Sequence, residues 1–423
     1  MPSLASQIAN PLKGADLEGR FRTVRQLSLS LVECLSEADV TPQSMPDASP
    51  AKWHLAHITW FFETFVLRDH CVGYALYDDD WPFLFNSYYE AEGARHPRPR
   101  RGLLTRPSLA EVIAYRRHVD AALLAALPTL AGPCRELVEL GLHHEQQHQE
   151  LLLTDLKHLF SCNPLGPAAW EPEPRVSVSE EPPPLGWRTG PVGLVEIGAD
   201  DAGFAFDCER PKHRHYLAPY ELADRVISNG EWLAFMEDGG YRAATLWLDD
   251  GWSWVNAHAI DSPLYWRRSE EGWEHFTLAG WQPLDLAAPA THMSFYEADA
   301  YATWAGARLP TEQEWEAAAR HDDPASGNQL DHAGPVAPAW RGEDSTMFGN
   351  VWEWTGSAYR PYPGFTHAEG ATGEYNGKFM SGQFVLKGGS CATPRGHVRA
   401  SYRNFFHPEK RWQFTGVRLA RSL

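Results

Sequence analysis

The chain has 423 residues, with 37 lysines and arginines against 55 aspartates and glutamates, a formal net charge of −18. That length suffices for two or three domains with cores of their own, and the acidic balance argues against a nucleic-acid partner, because phosphate backbones are bound mainly by cationic side chains. Eighteen tryptophans beside 32 prolines and 34 glycines predict a loop-rich body that buries area through large rings.

Residues 1–14, MPSLASQIANPLKG, lack the basic start and apolar run of a secretory leader. No stretch of about 18 apolar residues follows, so no membrane span is expected. Cys34, Cys71, Cys134, Cys162, Cys208 and Cys391 are scattered, with no C-x-x-C pair. Reduced thiols in a cytoplasmic protein are the simplest reading.

Apolar residues at three- and four-residue spacing predict helices over Leu17–Glu37, Ala51–Asp69, Ser108–Ala126 and Pro133–Phe160, which together make a four-helix bundle. Asp47-Ala48-Ser49-Pro50 and Arg106-Pro107-Ser108 look like helix starts, with a capping serine and an early proline. Between the second and third helices, Cys71 to Arg106 forms an excursion rich in aromatics and arginines, and a loop of that length in a bundle points to function.

Residues 161–190, with a Ser-Glu-Glu-Pro-Pro-Pro run, read as a proline-rich linker between a first domain over 1–160 and a second over 191–423. Beyond it the pattern shifts to short segments and glycine-rich turns. Helices are predicted there near Ser228–Glu237, Ser294–Ala305 and Thr311–Arg320, the last opened by a Thr-Glu-Gln-Glu capping box.

The chemistry-bearing run is His143-His144-Glu145-Gln146-Gln147-His148-Gln149-Glu150, in the last bundle helix. Residues four apart share a helix face, so His144 and His148 can reach one ion while His143 points about 100° away. A catalytic site that keeps positions open needs a third ligand. His57, in Trp53-His54-Leu55-Ala56-His57, is the natural candidate, and His54 competes from one turn away. His144-Glu145-Gln146-Gln147-His148 also matches the H-E-x-x-H pattern of zinc hydrolases, and the pattern alone does not separate zinc from iron.

WHLAHITWFFE (53–63), FNSYYEAEG (85–93), RHPRPRRGLL (95–104) and HHEQQHQE (143–150) resemble the bacterial ergothioneine-biosynthesis sulfoxide synthases. In the second half, ARLPTEQEWEAAAR (307–320), GNVWEW (349–354), LKGGSCAT (386–393) and YRNFF (402–406) are similar to formylglycine-generating-enzyme-type domains. The resemblance covers nearly the whole chain. It implies an α+β protein with an N-terminal DinB-like four-helix bundle followed by a C-terminal C-type-lectin-like, formylglycine-generating-enzyme-type domain, with the active site between them.

By motif match, the resemblance also implies a non-haem Fe(II) held by His57, His144 and His148, with O2 as co-substrate. The substrate of the family is hercynine, joined oxidatively to a thiol to give a sulfoxide. Tyr88 and Tyr89 match a tyrosine pair near the metal, one of which is expected to serve the oxygen chemistry as a hydrogen-bond or proton donor. Gln147 and Asn404 match hercynine contacts, Phe405 and Phe406 a pocket wall, and Arg95 and Arg98 a carboxylate clamp for the donor. Arg100, Arg101 and Arg106 are expected to be surface charge. Phe406 stands where mycobacterial-type members carry an Asp for γ-glutamylcysteine, which favours cysteine. Related enzymes form selenoneine from a selenosugar, and that donor is the chief alternative. A zinc or nickel hydrolase or thiol transferase, and a non-enzymatic lectin-like module, are the readings from other classes. Cys391 lacks the neighbouring cysteine a copper site would need, and is expected to be structural.

Overall fold

A computed structural model of the chain describes residues 16–172, 182–340, 347–367 and 371–423. The first fifteen residues, read above for a leader, and 173–181 of the proline-rich stretch lie outside the described residues. The first half contains α1 (Leu17–Ser30), α2 (Glu37–Val40), α3 (Ala51–Phe62), α4 (Trp81–Phe85), α5 (Leu109–Ala126) and α6 (Gly132–Ser161). The long members α1, α3, α5 and α6 form the bundle. α3 is buried at every position and sits against both α5 and α6.

Two helices differ from their sequence reading. The first ends at Ser30, and Ser36 opens α2 with a capping box to Asp39. The second passes at Glu63 into a π-helix over Glu63–Arg68. There Glu63 accepts from the Tyr74 hydroxyl and the Tyr77 backbone at 2.8 Å each, and from the Tyr115 hydroxyl. Ser108 caps α5 as expected, with Glu111 closing the box. Ser49 does not cap α3, because Pro50 holds that position without a side-chain bond.

The bundle core also buries charged groups, Glu145 among them. Glu145 on α6 is fully buried and accepts from Arg25 at 2.9 Å, Ser28 at 2.5 Å and Arg116. Burial alone would raise its pKa, but Arg116 and Arg25 outweigh burial and bring it to about 2. A buried carboxylate needs its desolvation offset by such partners, whether cations or hydrogen-bond donors.

The second half holds β1 (Trp187–Thr189), β2 (Gly193–Ile197), β3 (His213–Leu217), β4 (Tyr220–Ala223), α7 (Asn229–Glu237), α8 (Asp249–Ala257), β5 (Trp266–Ser269), β6 (Gly272–Thr277), β7 (Gly280–Pro283), α9 (Phe295–Trp304), α10 (Glu312–Ala319), β8 (Trp352–Ala358), β9 (Phe384–Lys387), β10 (Asn404–Phe406), β11 (Thr415–Gly416) and β12 (Ala420–Ser422). Ser228, Ser294 and Thr311 cap their helices with reciprocal boxes to Glu231, Glu297 and Glu314. α8 was not expected, since its Asp-Asp-Gly opening reads as a turn.

The strands form small sheets in the orders β1-β4-β12, β2-β3, β5-β6-β7 and β10-β9-β8-β11. In the last, β10 pairs antiparallel with β9, setting Asn404 opposite Leu386 and Phe406 opposite Phe384. That register brings Asn404, Phe405 and Phe406 to the edge of the sheet facing the bundle. The halves are joined through buried polar bonds: Glu150 on α6 accepts from Trp352 at 2.8 Å, Ser390 at 2.5 Å and Thr393 at 2.7 Å. No disulfide forms among the described residues, and no helix among them is long and apolar enough to cross a membrane.

Candidate metal centre and substrate cavity

His57 comes from α3, and His144 and His148 from successive turns of α6. One ligand atom from each lies within 4.8 Å of the others, and the ring centroids are 4.6–4.9 Å apart. The i, i+4 spacing on one helix and a single residue on its neighbour produce this cluster directly. His57 donates from Nδ1 to the Phe85 carbonyl at 2.6 Å, which leaves its Nε2 as a lone pair. Among the described residues, that Nε2 and both nitrogens of His144 are buried without a hydrogen-bond partner.

Such groups are costly to leave unsatisfied, and their convergence fits a bound cation. Burial, the largest cause in each case, pushes the pKa of all three imidazoles down, that of His144 to about 3. They are therefore neutral at physiological pH, the form that ligates metal. Three nitrogen ligands without a carboxylate or thiolate suit a divalent first-row metal and leave positions open.

Beside His144 and His148 lies a cavity of about 380 Å³, lined from both halves of the chain, and His57 is not among its lining residues. His144, His148 and Gln147 line it, with Tyr88, Arg98, Asn404, Phe405 and Phe406. Gln147 is locked between two phenols, donating to Tyr402 at 2.7 Å and accepting from Tyr375. Phe405 stacks on Tyr359, with centroids 4.2 Å apart, and Phe406 leans on Trp412 at 5.9 Å. Asn404 accepts from the Phe405 backbone at 2.9 Å.

Other sequence candidates are placed elsewhere. Tyr89 is fully buried behind Tyr88, the two rings stacked at 4.7 Å, and only Tyr88 lines the cavity. Arg95 is absent from the lining and pairs with Glu90 at 2.5 Å. His54 stands outside the triad and bonds to His148 instead. His143 stacks on Phe204 and bonds to His397 at 3.2 Å. Glu145 is committed to Arg25 and Arg116, so the general base of the zinc-hydrolase pattern is missing from the site.

The family comparisons cover the same two halves. The DinB superfamily matches residues 20–152, and the Sulfatase-modifying factor enzyme 1-like domain matches 189–343 and 345–423. Hercynine oxygenase of Mycolicibacterium thermoresistibile is 33% identical over 442 residues, spanning 96% of this chain and 94% of that protein.

The chain belongs to the hercynine oxygenase family.

Hercynine oxygenase of Mycobacterium tuberculosis agrees, at 32% identity over 424 residues, 94% of this chain and 96% of its own. Ergothioneine biosynthesis protein 1 of Schizosaccharomyces pombe is 30% identical over 235 residues, which is 52% of this chain and 28% of that protein.

In this member of the hercynine oxygenase family, Tyr375 and Arg101 are among the cavity residues that escaped the sequence reading. Tyr375 lies with its ring centroid 5.8 Å from that of His144, in a segment with no periodicity to mark it. Arg101 was assigned to the surface, yet it is 2% exposed, stacks 3.4 Å over Trp53 and donates to Ser49 and Ser87 at 2.9 and 3.0 Å. A signal for it existed. Arg98–Leu103 is a 3-10 helix, in which residues three apart eclipse, so Arg98 and Arg101 share a side that Arg100 does not.

Proposed function

We propose that this protein is an iron-dependent, O2-consuming enzyme that joins hercynine to a thiol at the imidazole C2 and yields a hercynine sulfoxide for ergothioneine biosynthesis. One observation carries the reading. His57, His144 and His148 cluster as neutral imidazoles, and the cavity that His144 and His148 line also carries two arginines, Arg98 and Arg101, that pair with no carboxylate among the described residues. The named activity of the full-length relatives supports hercynine as the substrate.

Fe(II) held by His57, His144 and His148 would supply the O2 chemistry. The stoichiometry closes: the C2–H and S–H hydrogens leave, one oxygen atom of O2 ends on sulfur and the other in water, and O2 takes the four electrons given up.

The chain's own residues have separate tasks in this scheme. Gln147, oriented by Tyr375 and Tyr402, offers a fixed amide to the hercynine imidazole or carboxylate. Phe405 and the neighbouring aromatic faces suit a quaternary ammonium, which offers no proton to donate. Tyr375 and Tyr88 are the phenols placed to hold or deliver a proton. Burial, first among the causes, raises both pKa values, so both stay protonated.

Arg101 is a buried cation whose guanidinium is pushed below its ordinary value by burial and then by Arg98. An anionic ligand relieves that cost. A carboxylate-bearing donor such as cysteine is therefore favoured over an uncharged selenosugar.

The test is anaerobic reconstitution with Fe(II), then O2, hercynine and cysteine, γ-glutamylcysteine or a selenosugar, with mass spectrometry of the product. A cysteine adduct gaining one oxygen is expected. A product that gains selenium and no oxygen replaces the sulfoxide reading, and O2-independent turnover removes the oxygenase reading.

A further inference from the structure

His54 and Asp155 are not ligands, yet they stand in line with one. His54 Nδ1 lies 2.8 Å from His148 Nδ1, and His54 Nε2 lies 3.1 Å from an Asp155 oxygen. His54 is one turn before His57 on α3, and Asp155 is two turns after His148 on α6, so both spacings keep the line on the facing sides of two packed helices. All of it is buried except part of His148. Asp155 is itself fixed, accepting from the Ser49 backbone at 2.8 Å and from the Trp412 indole of the second half at 3.0 Å.

The polarity of this line can be worked out. A carboxylate only accepts, so His54 must carry its proton on Nε2. A neutral His54 then presents a lone pair at Nδ1, and the proton between the two rings must belong to His148 Nδ1. That leaves His148 Nε2 as the ring's lone-pair nitrogen, as the Phe85 carbonyl does for His57. We infer that Asp155 and His54 are positioning residues that fix the tautomer and ring orientation of His148 through an imidazole-to-imidazole hydrogen bond. Outer partners of this kind govern ligand geometry and affinity in metal sites generally. Here the control reaches the second domain, because Trp412 holds the far end.

The inference rests on the three-histidine metal reading above, and the experiment separates the two. Purified metal-free protein is titrated anaerobically with Co(II), following affinity and the visible ligand-field spectrum, for wild type, His54→Phe, His54→Gln, Asp155→Asn and His144→Ala. His54→Phe keeps a ring but removes the acceptor, and should weaken binding by roughly 10- to 100-fold. His54→Gln restores the polarity, its amide oxygen accepting from His148 and its NH2 donating to Asp155. It should return affinity and spectrum close to wild type.

Asp155→Asn is isosteric, should fold, and should weaken binding by about tenfold, since an amide cannot accept all three donors. Wild-type affinity and spectrum in either folded His54→Phe or Asp155→Asn overturns the relay. Absence of one-to-one binding in wild type, or unaltered binding in His144→Ala, overturns the metal centre itself.

Discussion

Tyr375, from the second half of the chain, donates its phenolic proton to Oε1 of Gln147, which sits on the helix of His144 and His148. The bond fixes the amide so that its NH2 faces Tyr402. Removing the hydroxyl tests the phenol's proposed part in proton handling. Tyr375→Phe should lower turnover by roughly 10²-fold, the scale of a lost positioned acid. Its metal affinity should match wild type, because no ligand contacts the hydroxyl. Loss of metal together with activity would assign Tyr375 a structural part instead.

Arg101 lies under the cavity with its guanidinium on Trp53, which stacks in turn on His57 at 4.5 Å. Arg101→Met should raise KM for a carboxylate-bearing donor by roughly tenfold or more, as expected for one lost charge-assisted bond. KM for hercynine should stay near wild type. Arg101→Lys should not rescue, since an ammonium lacks the planar fork that bridges Ser49 and Ser87 while stacking. Equal effects on both substrates would contradict an anion site for the donor.

Metal-free protein should lose stability as pH falls below 6.5. His54, His57, His143, His144, His148, His292 and His397 have pKa values lowered mainly by burial from 6.5. The unfolded chain therefore binds more protons than the folded one below that value, so unfolding becomes easier with each step down. The decline continues to about 3, where folded His144 protonates. Melting temperatures from pH 8 downward, with and without Co(II), measure this, and a flat metal-free profile would refute it.

Gly141 on α6 faces Phe62 so closely that an added Cβ would stand 2.4 Å from the ring. In an ordinary helix interior, glycine to alanine gains about 1 kcal/mol. Here Gly141→Ala should instead destabilise by about 1–3 kcal/mol through overpacking against α3. Chemical denaturation reads the sign directly, and a stabilised variant would show that α3 and α6 have room to separate.

The three-histidine cluster was legible because helix periodicity converts spacing into direction: His144 and His148 four apart, with His57 on a second apolar helix. The same logic left His54 and His57 as rivals. Only the crossing of α3 and α6 decides that His54 meets His148 and stays outside the three-histidine cluster. Tyr375 was illegible for a different reason. It reaches the cavity from a bend just after a short 3-10 segment whose placement depends on tertiary docking, with Glu374 accepting from the Glu90 and Ala91 backbones at 3.0 Å each. The helix starts at Ser108, Ser228, Ser294 and Thr311 are set by local capping residues and were readable. The π-helix at Glu63 was not, because it is held by three side-chain and backbone donors from outside its own turn.

Glu150 has a bearing on how such a protein can be inherited. It stands two residues from His148, and its carboxylate is satisfied entirely by Trp352, Ser390 and Thr393. A recombinant gene joining this first half to a foreign second half would transmit His57, His144 and His148 intact. It would still strand a buried acid unless the newcomer brought the same three donors. Shuffling these halves therefore demands compatibility at buried carboxylates, Glu150 and likewise Asp155 with its Trp412 donor, as well as in the chemistry.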